Sequence, residues 1–260
     1  MYTLDMTTII KDCGELSKQV YSEPEKILKG WKKSGLLEVE PRIVLDEATD
    51  TESMVSVYSK KVDGLVYKYI VVAVRGTESF TDVLKDLDVR KTQPTFVKKH
   101  YDHLRVKVHN GFYEQYQAIR PRIFNHIKRL QAKHNLSRVI FTGHSLGAAV
   151  ASILALSYKM NHTGMNVSCV TFGSPRVGNK YFAKSFDIID HSYRVVNYQD
   201  PVCKIPSRWR FRHVKGVVLM KDKKVIYGER QSFFRSLWSG ISLGSHRMDY
   251  YIYKMGYLFR

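Results

Sequence analysis

The sequence predicts an α/β fold built on a mostly parallel sheet, and three observations carry that prediction. Val66–Val74 (VYKYIVVAV) is a nearly unbroken β-branched and aromatic run, as expected of a strand covered on both faces. Phe112, Tyr116, Ile119, Ile123, Ile127 and Leu130 recur at spacings of four and three, the stripe of an amphipathic helix. Beyond them, short apolar runs and helical segments alternate to the end of the chain, which implies βαβ units.

The elements follow in order. The first 45 residues are acidic and predict helices on the flank of the sheet, with Ser22-Glu23-Pro24-Glu25 as a helix start. Pro121 lies inside the long stripe and is expected to kink or divide that helix. Arg138–Thr142 reads as a strand, Leu146–Met160 as a helix and Val167–Phe172 as a strand. Tyr193–Tyr198 and Gly216–Met220 follow as strands, and Met248–Met255 as a last helix. No repeat, low-complexity stretch or linker interrupts residues 1–260, so a single domain is expected.

Composition narrows the classes. Apolar residues make up 44% of the chain and charged residues 25%, an ordinary globular balance that excludes a disordered chain. Cys13, Cys169 and Cys203 are too scattered for a disulfide framework or a metal site. The first residues, MYTLDMTTIIKDCGEL, lack a basic start followed by an apolar run, and no stretch reaches the roughly 20 apolar residues that span a bilayer. The expectation is an intracellular protein whose membrane contact, where there is any, is peripheral.

The net charge of +18 is unevenly spread. Residues 1–60 carry 8 basic against 11 acidic side chains, residues 61–140 carry 16 against 7, and residues 200–260 carry 13 against 4. A basic body attracts anionic lipid surfaces or nucleic acid. No nucleic-acid motif accompanies the charge, so a nucleic-acid partner is not expected.

Gly143-His144-Ser145-Leu146-Gly147 has the form G-x-S-x-G and stands between a predicted strand and a predicted helix. A serine hydroxyl needs a base to become a nucleophile, and a sharp strand-to-helix turn lifts it clear of the sheet. The fold order then asks for an acid and a histidine downstream. Asp187, Asp190, Asp200, Asp222 and Asp249 compete for the acid, with Glu229 as an outside choice. Asp200 stands at the carboxyl end of Tyr193–Tyr198, where open α/β sheets build their sites, and Pro201 holds it in an extended or turn conformation. Asp187 and Asp190 precede that strand, and Asp222 falls in the turn MKDKK. His213 and His246 are the histidines beyond Asp200. His246 lies on a loop before the last helix and is preferred as the base. His213, in FRHVKGVVLM, reads as a packing or hydrogen-bonding residue, and His144 must point away from its neighbour Ser145.

These residues resemble the class 3 lipases, the family of the fungal triacylglycerol lipases. The resemblance rests on VAVRGTESFTDVLKDLDV from Val72, VHNGFYEQY from Val108, VIFTGHSLGAAVASI from Val139, TFGSPRVGN from Thr171, YRVVNYQDPVCKIP from Tyr193 and SHRMDYY around His246. It implies an α/β-hydrolase fold, a central mostly parallel sheet with helices on both faces. It implies a serine ester hydrolase acting on lipid acyl esters, as acylglycerol lipase or phospholipase, through Ser145, Asp200 and His246 and an acyl-enzyme. Thr77 and the backbone N–H of Leu146 become the oxyanion donors, no cofactor or metal is required, and His109 is structural. Residues 79–101 take the place of the lid, here basic with Lys85, Arg90, Lys91, Lys98 and Lys99. Phe233, Phe234, Leu237, Trp238 and Ile241 fall on one helical face, packed on the core or serving as an interfacial patch. The rival reading is a weak or inactive hydrolase-fold protein that binds anionic lipid surfaces.

Overall fold

The computed structural model describes residues 4–76, 90–97, 105–228 and 242–259. Helices α1 (Met6–Gln19) and α2 (Pro24–Gly30) open the chain, followed by a 3₁₀ turn at Trp31–Ser34. Asp5 caps α1 by accepting a hydrogen bond from the Thr8 N–H, and Pro24 starts α2 at its first position, as the sequence predicted.

The strands are β1 (Arg42–Asp46), β2 (Thr51–Val62) and β3 (Leu65–Val74), then a short ribbon of β4 (Lys91–Thr92) and β5 (Val108–His109). Helix α3 (Asn110–His134), β6 (Arg138–His144), α4 (Leu146–Asn161), β7 (Asn166–Phe172) and α5 (Lys180–Ser185) follow. The chain ends with β8 (His191–Asn197), β9 (Val217–Lys221), β10 (Lys224–Gly228) and α6 (Met248–Leu258).

Among the described residues, eight strands form one sheet in the order β1-β2-β3-β6-β7-β8-β9-β10. The central pairs from β3 to β9 are parallel, and antiparallel strands finish both margins. Helices cover both faces. Ile119, Ile123 and Ile127 of α3 pack with Ile153 and Leu154 of α4 on one side. Ile10 and Leu16 of α1 pack with Tyr251 and Met255 of α6 on the other. This is the α/β-hydrolase arrangement the sequence predicted.

Three elements differ from expectation. Pro121 does not divide α3, which runs unbroken for 25 residues. Pro121 sits on the exposed side, where the carbonyl that loses its backbone donor faces solvent rather than the core. The N-terminal flank is not helical to residue 45, because Arg42–Asp46 pairs with Thr51–Val55 of β2 as the edge strand. His213 lies in the loop before β9 rather than in a strand. Among the described residues, no helix is long and apolar enough to cross a membrane.

Candidate active site

Ser145 occupies the turn between β6 and α4 with φ 59° and ψ −127°, a conformation that L-residues adopt only under constraint. The constraint is close packing. A Cβ on Gly143 would lie 2.7 Å from the Gly147 carbonyl carbon, and one on Gly147 would lie 2.7 Å from that of Arg75. Glycine at both places lets β6, α4 and the end of β3 meet, and the fully buried Ala148 and Ala149 keep the helix start thin. The Ser145 N–H donates to the Phe172 carbonyl at 3.0 Å, which ties the turn to the end of β7. Its Oγ makes no hydrogen bond among the described residues. Leu146 begins α4, whose first N–H groups have no intrahelical acceptor and point toward the turn.

Asp200 follows the carboxyl end of β8 and is fully buried. One carboxylate oxygen accepts from the Val202 N–H at 2.8 Å. The other accepts from the Tyr251 hydroxyl at 2.7 Å and from His246 Nδ1 at 2.9 Å. A carboxylate only accepts, so Nδ1 carries a proton and a neutral ring leaves Nε2 with its lone pair. Burial and the Asp200 charge push the Tyr251 phenol well above its ordinary value, so it stays a donor.

His246 ends a 3₁₀ turn at Leu243–His246, and its backbone is held from behind. His144 Nε2 donates to the His246 carbonyl at 2.6 Å, and Tyr21 donates its hydroxyl proton to His144 Nδ1 at 2.8 Å. Burial, then the adjacent His246 ring, lowers the His144 pKa well below 6.5 and keeps it neutral. Gly173, at φ 58°, completes the cluster. A Cβ there would lie 2.9 Å from the Asp200 carboxylate and 3.0 Å from the His246 ring. Because Phe172, its neighbour, accepts from Ser145, the elbow and the Asp200–His246 pair meet at this glycine.

The other sequence candidates lie elsewhere. Asp190 pairs with Lys159 at 2.7 Å before β8, Asp249 pairs with Lys18 at 2.8 Å on the surface, and Asp222 sits exposed in the turn after β9. Asp187 lies in a 3₁₀ turn, Phe186–Ile188, also before β8. His213 donates from Nε2 to the Cys203 carbonyl at 2.7 Å. His109 stacks on Phe112 with centroids 4.2 Å apart. Arg75, which precedes Gly76, is anchored by Asp50 at 2.7 Å. Thr77, Glu229, the 232–241 segment and most of the lid region lie outside the described residues.

Sequence reasoning missed Tyr251, Gly173 and Tyr21. Gly173 had a local signal in Gly-Ser-Pro directly after a strand, whereas the two tyrosines reach the site only through tertiary packing. A groove of about 850 Å³ opens beside the cluster, between α1, α2 and the His246 loop. Lys18, Tyr21, His144, His246 and Arg247 line part of it, and Ser145 does not.

The sheet order, the strained serine turn and the buried acid–histidine pair define a member of the α/β-hydrolase class. Residues 71–209 match the family model described as "Lipase (class 3)", and the chain belongs to that family. It is 36% identical over 143 residues to the secreted mono- and diacylglycerol lipase MDL2 of Malassezia globosa, a match covering 54% of this chain and 47% of that protein. It is 37% identical over 135 residues to phospholipase A1-II 1 of Oryza sativa, covering 45% of this chain and 34% of that one. The matched segments thus span half or less of these relatives. Among solved structures, the mono- and diacylglycerol lipase from Aspergillus oryzae superposes with a TM-score of 0.76 at 21% identity, over 94% of this chain and 96% of that one. The Rhizomucor miehei triacylglyceride lipase gives 0.75 at 22%, over 94% of each.

These relatives correct one expectation. The Malassezia protein and a Gibberella zeae relative, 28% identical over 185 residues, are named as secreted, which overturns an intracellular assignment. Scattered cysteines do not bear on the compartment either. All three are buried and free, so packing accounts for them and they carry no information about the compartment.

Proposed function

We propose that the protein is a serine carboxylic ester hydrolase acting on lipid acyl esters. The observation that carries this reading is the buried Asp200–His246 pair beside a serine held in a strained strand-to-helix turn.

In the proposed cycle His246 Nε2 takes the proton of Ser145 Oγ as that oxygen attacks the ester carbonyl. Asp200 fixes the imidazole tautomer and stabilises the imidazolium that forms. The N–H of Leu146, with Thr77 as second donor, receives the oxyanion at the positive end of α4. Collapse of the tetrahedral intermediate expels the alcohol, which takes the proton from His246 and leaves an acyl group on Ser145. Water, deprotonated by the same nitrogen, attacks the acyl group and regenerates the serine. No step calls for a metal or an organic cofactor.

The substrate class follows from the relatives, which are named for mono- and diacylglycerol and for phospholipid hydrolysis. Acylglycerols and phospholipids are therefore the substrates proposed, with contact to membranes peripheral. A fluorophosphonate probe tests the nucleophile. Labelling is expected in the wild type and lost in Ser145→Ala; label retained by that variant would remove Ser145 from the role. Lipid-panel hydrolysis read by mass spectrometry then separates glycerides from phospholipids. Vesicle binding with no turnover of any ester would favour the inactive binding protein instead.

A further inference from the structure

The loop after Asp200 carries the sequence Ser207-Arg208-Trp209-Arg210-Phe211-Arg212. Trp209 is 80% exposed, the largest exposure among the large apolar side chains described, and the Arg208 guanidinium lies 5.3 Å from its ring. Arg208, Arg210 and Arg212 are exposed around it. The loop is fixed rather than dangling: Phe211 is fully buried, and the Arg212 N–H donates to the Gly178 carbonyl at 2.7 Å.

Two further cations join it from other segments. Lys91 lies 5.4 Å from the Phe211 ring centre and donates to the Arg210 carbonyl at 3.3 Å. Lys107 precedes β5, which bridges to Gly178 and through it to Arg212. Lys18, Lys60, Lys68, Arg75, Arg122 and Lys159 all lie within 4.0 Å of a carboxylate. Among the described residues, Lys91, Lys107, Arg208, Arg210 and Arg212 form no such pair. Burial and the like charges of Arg210 and Lys107 lower the Lys91 pKa, as expected of cations gathered without compensation.

Topology gives this patch a direction. Lys91, Gly178 and the 207–212 loop all belong to connections that leave the carboxyl ends of β3, β7 and β8. Gly178, which holds Arg212, lies five residues past Gly173 at the Asp200–His246 pair, and Ser207 lies seven past Asp200, so patch and site are carried by the same two connections.

We propose that Arg208, Trp209 and Arg210, with Lys91, Lys107 and Arg212 around them, dock the protein on an anionic phospholipid surface. The cations meet lipid phosphates, and Trp209 enters the headgroup layer, where an indole places its apolar body in the acyl boundary and its N–H in water. Duplex DNA would satisfy the charges but keeps its base faces stacked away from Trp209, and no nucleic-acid motif accompanies the patch. The surface rests on the lipid reading above, because it aims the site at the bilayer.

The experiment uses Ser145→Ala protein, so that binding is read without hydrolysis, in flotation with phosphatidylcholine vesicles with or without phosphatidylserine. Binding is expected only with phosphatidylserine, to weaken with salt, and to fall about fivefold at low salt for each cation removed in Arg208→Ala and Arg210→Ala. Trp209→Ala is expected to weaken binding and abolish the vesicle-dependent shift in tryptophan emission. In the Ser145 background, all three variants are expected to turn over a soluble p-nitrophenyl ester as the wild type does. Equal binding to neutral vesicles, or unchanged binding by the three variants, would overturn the surface. So would a DNA fragment that competes fully while Trp209→Ala has no effect. Failure of the soluble ester assay in the wild type would instead overturn the hydrolase reading and leave vesicle binding to stand or fall alone.

Discussion

His144 donates from Nε2 to the backbone carbonyl of His246 at 2.6 Å, so the residue before the candidate nucleophile holds the candidate base from behind. Tyr21, on the turn after α1, fixes the tautomer that makes this possible. His144→Ala removes the strut and opens space under the His246 ring, which lies 4.5 Å away centre to centre. Displacement of a base by about 1 Å costs on the order of 100-fold in rate. The expected outcome is that loss in kcat on a soluble ester, with the fluorophosphonate reaction slowed in proportion. A variant that folds and keeps full kcat would show that the strut positions nothing.

The same histidine predicts a pH dependence of stability. In the unfolded chain it takes a proton near pH 6.5, and in the fold only well below that, because burial and then the His246 ring oppose the charge. Its contribution is fully present above pH 6.5 and declines as the pH falls from there toward the lower folded value. The slope is about 1.4 kcal/mol per pH unit for each such histidine. His213, lowered by burial and by the charges of Arg194 and Arg176, acts with the same sign. Urea unfolding at stepped pH between 7.5 and 5.5 should show falling stability, with a shallower slope in His144→Gln. An identical slope in that variant would place the titration elsewhere.

Much of this site was legible before the fold was known, and the reason lies in what each residue asks of the chain. Ser145 needs glycines on both sides and a strand before a helix, all local demands written within five residues. Asp200 was separated from Asp187 and Asp190 by standing after a strand rather than before it, a distinction that period and order supply. The edge strand β1 and its neighbour β2 were not seen, because β2 is buried over Thr51–Tyr58 yet carries Thr51, Glu52, Ser53 and Ser56 within that stretch. Polar residues tolerated inside a sheet break the apolar pattern that announces a strand. Tyr251 and Tyr21 were illegible because hydrogen bonds to Asp200 and His144 leave no trace in local sequence.

Asp200→Asn tests the tautomer argument directly. The asparagine is nearly isosteric, so the fold should persist. Its amide can donate where the carboxylate accepted, and His246 can then carry its proton on Nε2, facing away from the role of base. The expected fall in kcat is on the order of 10,000-fold. An unchanged unfolding midpoint with that loss would confirm a chemical effect, whereas a small loss would mean that Asp200 does not set the imidazole.

Tyr251 links α6 to the same carboxylate, accepting from the Asn197 N–H at 2.9 Å while donating to Asp200 at 2.7 Å. Phenylalanine keeps the ring and removes both bonds, one of them to a charged group. Tyr251→Phe should therefore cost about 1.5–3 kcal/mol in stability, measured by urea unfolding. A cost near zero would mean that the Asp200 lone pair is satisfied without the phenol.

Gly173 offers the sharpest steric test, because two independent penalties act on one methyl group. Its φ of 58° is left-handed, which costs an L-residue roughly 1–2 kcal/mol. A Cβ would also stand 2.9 Å from the Asp200 carboxylate, closer than carbon approaches such an atom at rest, and 3.1 Å from His246 Nδ1, tight enough that the ring must give. Both neighbours are nearly or fully buried, so neither can move aside without disturbing the other. Gly173→Ala should lose activity far beyond its loss of stability: the Asp200–His246 bond is pried apart while the core around it stays packed. Circular dichroism and thermal unfolding measure the second effect, and turnover of a soluble ester measures the first. Full activity in a folded Gly173→Ala protein would mean that the working arrangement of Asp200 and His246 leaves room at this glycine that the geometry here does not.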